Sequence, residues 1–140
     1  MLKSRLFTLA LTLGLAGCAK HPGRVAPTAC GPTSQVQIAI RPGPNPSFAW
    51  TPACAVGWLQ VVRGDTGQVA WQIEARDSVN AFASPLVFGV VPSDAIELTP
   101  AMPLESGATY TVTLGRFFQG SFSGRERRVI IQMAQATFRP

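Results

Sequence analysis

The sequence predicts an all-β fold, a single β-sandwich of about seven strands. Three observations carry this expectation. Apolar residues recur with period two in short runs, as in Val36, Ile38 and Ile40. Turn-forming clusters separate those runs, in a chain with 13 Gly and 12 Pro. No window sustains i, i+3, i+4 apolar spacing between caps, so helical signals are nearly absent. Short strands at such intervals, joined by Gly/Pro turns, define a sandwich.

Residues 1–17 stand apart from that pattern. Lys3 and Arg5 make a positive lead, and Leu6 to Leu15 is an apolar run broken only by Thr8, Thr12 and Gly14. The run is shorter than the ~20 apolar residues a bilayer span needs, and it reads as a secretory signal peptide. Leu15-Ala16-Gly17-Cys18 resembles the lipobox of bacterial lipoproteins. That resemblance implies that Cys18 becomes the mature N-terminus and carries a thioether-linked diacylglycerol, with a further N-acyl chain. One acyl chain holds a protein only marginally, at roughly 10⁴ M⁻¹, whereas several anchor it stably. Ala19, where Asp would otherwise follow the anchor, resembles the pattern of lipoproteins sorted to the outer membrane, facing the periplasm.

Removing residues 1–17 leaves ten of the 12 basic residues against seven acidic ones, a net charge of about +3. That is mild, and it gives no reason to expect nucleic acid, whose binders cluster Lys and Arg along one face. Residues 18–33 form the lipidated N-terminus and a tether, rich in Pro, Gly and small residues, and residues 34–140 suit one domain. The single histidine, His21, lies in the tether, so no second histidine shares a metal and no cofactor is expected.

The strands follow in order. Gln35 to Arg41 alternates, and "RPGPNP" after it is a turn that no helix crosses. Ser47 to Thr51 is the second strand. Gly57–Arg63 and Gln68–Glu74 flank the turn cluster Gly64-Asp65-Thr66-Gly67 and make a hairpin. Ser84 to Val91 is a nearly continuous apolar run that suits a strand buried on both sides or bulged at Gly89. Ile96–Leu98 suits a short strand. Thr109–Leu114 puts Tyr110, Val112 and Leu114 on one face, and Arg127–Phe138 supplies a long last strand.

Leu104, Gly107 and Tyr110 stand in the L-x-x-G-x-x-Y spacing, and "SFAWTPA" places Trp50 in a second strand. These features resemble fibronectin type III modules of the immunoglobulin-like sandwich class. The resemblance implies that Tyr110 closes a corner by bonding to nearby backbone, and that Trp50 packs between the sheets. The 75–103 segment is longer than the corresponding connection of that family, and a cysteine pair is not typical of it.

Cys30 and Cys54 are the cysteines left after Cys18. The cell envelope is oxidising, which favours a disulfide. If Gln35–Arg41 and Ser47–Thr51 pair through the 42–46 turn, facing residues have numbers summing to about 87, and 30 and 54 sum to 84. A redox-active or nucleophilic thiol is the alternative, but no C-x-x-C exists and no histidine base is near.

An enzyme is not expected. A Ser or Cys hydrolase needs a base that His21 cannot supply, and Asp65, Glu74, Asp77, Asp94, Glu97, Glu105 and Glu126 sit mostly in turns or strand ends. Two readings of function remain. One is a lipid-anchored binding or accessory module that presents sandwich loops to an envelope protein or polymer. The other is a periplasmic inhibitor or regulator of an envelope enzyme. The candidate binding loop is "RFFQGSFSGRER", Arg116 to Arg127, where Phe117, Phe122 and Arg125 are the expected contacts. Core packing of Phe117 and Phe118 is the competing expectation.

Overall fold

The computed structural model describes residues 30–122 and 124–140, without the side chains of 121, 122, 125 and 126. Eight strands form two antiparallel sheets packed as a β-sandwich. The smaller sheet holds β1 (Gln37–Arg41), β2 (Ser47–Thr51) and β5 (Leu86–Val87) in the order β1-β2-β5. The larger holds β3 (Trp58–Arg63), β4 (Val69–Ala75), β6 (Ala95–Thr99), β7 (Tyr110–Phe122) and β8 (Arg125–Phe138), ordered β6-β4-β3-β7-β8.

Alternation decides which side chains face the core. Phe48 and Trp50 of β2, Leu59 and Val61 of β3, Trp71 and Ile73 of β4, and Val112 and Leu114 of β7 form one buried cluster. Each fully buried side chain of this size contributes roughly 2–3 kcal/mol. The two indoles also need polar partners. Trp50 Nε1 donates to the Cys54 carbonyl at 2.7 Å, and Trp71 Nε1 donates to a Glu97 carboxylate oxygen at 3.0 Å.

The β1–β2 hairpin pairs Gln37 with Thr51 and Ile40 with Phe48. At its open end Cys30 and Cys54 are joined by a disulfide, with Cα atoms 5.7 Å apart. Tyr110 is buried, and its hydroxyl accepts the Glu105 N–H at 2.9 Å, closing the corner that leads into β7. The 75–103 segment is long because it crosses twice. It leaves β4 for β5 in the smaller sheet, then returns to place β6 on the edge of the larger one. Only Leu86 and Val87 of the Ser84–Val91 run enter a strand. Pro85 has no N–H to offer a ladder, and a turn closed by the Val90 N–H on the Val87 carbonyl ends the pairing.

The strands give the molecule two ends. One carries the Cys30–Cys54 disulfide, the start of β3, the 76–80 turn and the far half of β7–β8. The other carries the 42–46 and 64–67 turns, the 100–109 connection and the C-terminus.

Candidate functional site

The segment Arg116–Arg127 is a paired ribbon, where the sequence reading expected a loop. β7 runs on to Phe122, β8 starts at Arg125, and every residue of β7 from Gly115 to Phe122 has a β8 partner. The reason lies in β8. Val129, Ile130 and Ile131 are strong strand formers, and they supply partners for Phe118, Phe117 and Arg116. β3 covers β7 only from Tyr110 to Gly115. Beyond that point the ribbon continues with no third strand among the described residues.

The root of the ribbon is latched by side chains from other segments. The Phe117 N–H donates to Asn80 Oδ1 at 2.8 Å, and Asn80 Nδ2 donates to the Phe117 carbonyl at 3.0 Å. One amide thus replaces a missing neighbouring strand on the free edge of β7. From the other strand, Arg128 Nη1 donates to the Asp77 carbonyl and, at 2.8 Å, to the Ser78 carbonyl. Asp77 and Ser78 have φ of 56° and 51°, a left-handed conformation costing roughly 1–2 kcal/mol per non-glycine residue. A small cavity of about 340 Å³ lies between Val79, Asn80, Phe117, Phe118 and Arg128.

Phe117 is core rather than contact surface, at 9 % exposure. Its ring lies directly over Gly57, where a Cβ would collide with it. Of the expected contacts, Phe122 and Arg125 face each other across the end of the ribbon in the backbone register. Their side chains lie outside the described residues, as do Cys18 and the 1–17 segment.

Two apolar ribbon residues, Val129 and Ile130, were not singled out by the sequence. Val129 and Ile130 are 41 % and 43 % exposed, and Arg127 and Arg128 beside them are exposed too. Ile130 and the half-buried Trp58 both lie over Gly115, whose Cβ would stand 2.8 Å from Ile130 Cγ2 and 3.1 Å from Trp58 Cε3. Arg116 is buried at the root, and its Nη1 donates to the Ala55 carbonyl. Its Nε has no hydrogen-bond partner among the described residues. Burial pushes its pKa below the usual guanidinium value. A signal for the ribbon was present. A last strand from Arg127 to Phe138 is twice as long as its partner Thr109–Leu114, so its extra residues needed a partner strand.

The opposite end holds an ion-paired cluster. Arg63 pairs with Asp65 at 2.7 Å and with Glu105. The hydrogen bond from Arg63 holds the Asp65 carboxyl below its ordinary value. An open groove of about 530 Å³ runs there between Pro44, Val87, Val90, Met102 and Leu104. Among the described residues no group of three or more His, Cys, Asp or Glu converges as metal ligands. No protein-family model matches the chain, and comparison with curated proteins and with solved structures finds no match.

Proposed function

We propose that the chain is a lipid-anchored binding module of the bacterial cell envelope. In this reading residues 1–17 are removed, Cys18 carries the lipid, and a short tether holds an immunoglobulin-like sandwich at the membrane. The β7–β8 ribbon is the element presented to a second component. The observation that supports it best is the ribbon's form. Seven residues of β7, Arg116–Phe122, extend past the strand that should flank them, and they leave Arg127, Arg128, Val129 and Ile130 exposed. A strand pair without a third strand or a covering layer is marginal in water, so a projection of this length fits an element with a partner.

The test combines fractionation with cross-linking in a diderm bacterium. Wild-type protein is expected in the membrane fraction, and Cys18→Ser is expected as soluble or unprocessed precursor. A photoreactive residue at Gln119 should capture a neighbour, whereas one at Gln68, at the opposite end, should not. Membrane retention of processed Cys18→Ser would overturn the anchor. Equal capture, or none, at both positions would overturn the ribbon.

A further inference from the structure

We propose that the ribbon's partner is the anionic bilayer surface to which the chain is anchored; this rests on the lipid-anchor and ribbon reading above. The first argument is position. The tether joins the domain at Cys30, which is bonded to Cys54. The next residue, Ala55, accepts the hydrogen bond of Arg116 at the ribbon's root. The lipid and the ribbon therefore leave the sandwich at the same end.

The second argument is reach. Residues 19–29 have the composition of a coil, for which eleven residues span roughly 18 Å r.m.s.. The seven β7 residues beyond Gly115, at about 3.3 Å each, project about 23 Å. A domain held this close brings its longest projection to the headgroups.

The third is charge. Arg116, Arg125, Arg127 and Arg128 against Glu126 give the ribbon a net +3, equal to the whole mature chain. At the far end Arg63 is neutralised by Asp65 and Glu105. Positive charge is thus concentrated on the ribbon, on the side of the sandwich where the tether joins. Each arginine near an anionic surface is worth roughly a fivefold gain in partitioning.

The fourth is the distribution of apolar surface, and it separates a bilayer from a protein. Val129 and Ile130 are consecutive in a strand, so they belong to opposite faces of the ribbon. A protein groove of ordinary shape covers one face. A headgroup layer surrounds an inserted ribbon and reaches both, with the exposed Arg127 beside them to meet phosphates.

The test uses the mature chain, residues 18–140, with Cys18→Ser, so that no lipid contributes. Its probes are vesicles of phosphatidylcholine alone or with phosphatidylglycerol. Co-sedimentation is expected only with phosphatidylglycerol, and it should weaken as salt rises. Arg125→Gln with Arg127→Gln should reduce partitioning roughly 25-fold with thermal unfolding unchanged, from roughly fivefold per arginine. Arg41→Gln with Arg139→Gln, at the opposite end, should leave it within about twofold, because charges beyond a Debye length of the surface are screened. Absence of binding by the parent chain overturns the proposal, as does equal binding by the ribbon variant. So does binding abolished by Lys20→Gln with Arg24→Gln while the ribbon variant still binds. If vesicles fail but Gln119 captures a protein in cells, the bilayer is excluded and the ribbon keeps its role. The anchor is judged separately, by fractionation of Cys18→Ser.

Discussion

Tyr110 joins packing and polarity in one side chain. Its ring stacks on Phe138 with centroids 5.8 Å apart, and Phe138 in turn meets Phe48 of the other sheet at 5.5 Å. Its hydroxyl accepts the Glu105 N–H, which otherwise has no acceptor in that turn. Replacing the residue by phenylalanine keeps the stack and deletes only the acceptor. Tyr110→Phe is therefore expected to lower stability by about 1–2 kcal/mol, the cost of leaving a part-buried donor unpaired. Urea unfolding checks this. The midpoint should fall at constant slope, because the core surface exposed on unfolding does not change. A midpoint that stays put would mean that the turn is held by its other contacts. This position was legible in the sequence because the L-x-x-G-x-x-Y spacing ties a polar requirement to one residue. Phe117 was less legible. An aromatic among glycines suits either a packed or an exposed position, and the collision a side chain at Gly57 would have with its ring is a tertiary fact that spacing does not encode.

At the scale of elements, the strands that alternate cleanly were the ones read correctly. The hairpin expected at 57–74 is β3 and β4, and Val36, Ile38 and Ile40 pack against the core from the β1 segment. The ribbon was misread because Gly115, Gly120 and Ser121 lack strand propensity, and their pairing is imposed by β8. Gly115 serves close packing there, since any side chain would displace Ile130 or Trp58. Asn80 was invisible for a similar reason. Its role depends on the 76–80 turn lying against the free edge of β7, a juxtaposition made by the fold. Its two hydrogen bonds to Phe117 predict a specific effect. Asn80→Ala should unlatch the ribbon root and leave the sandwich folded. Amide exchange is the measurement that separates these regions, because it reports local opening. The Phe117 amide should lose protection by roughly tenfold or more, the equivalent of one hydrogen bond of about 1.4 kcal/mol. Protection of Val112 in the core should be unchanged. Equal loss at both sites would show that Asn80 supports the whole fold rather than the ribbon.

For the whole molecule, the disulfide fixes Cys30, where the N-terminal segment meets the sandwich, to the end that carries the ribbon. Among the described residues β1 is a five-residue edge strand paired only with β2, and it also lies against β8. Its apolar residues are half-buried, so packing alone holds it less firmly than the strands of the larger sheet. The Cys30–Cys54 bond closes a sequence separation of 24 residues around the β1–β2 hairpin. In the chain-entropy model a loop of that size stabilises by about 3.5 kcal/mol. Cys30→Ala with Cys54→Ala is expected to lower Tm by roughly 10–15 °C for a domain of about 110 residues. Part of that loss reflects the space left at the fully buried Cys54. Reduction of the unsubstituted protein gives the same sign without the change in packing, and the difference between the two measurements isolates it. The consequence for orientation follows from the same bond. With Cys30 released, the point where the tether meets the domain moves from the ribbon's root toward Gln37, where β1 begins. Limited proteolysis should then cut within residues 31–36 well before global unfolding. A Tm shift under about 2 °C together with an uncut 31–36 segment would show that the β1–β2 ladder alone fixes that end.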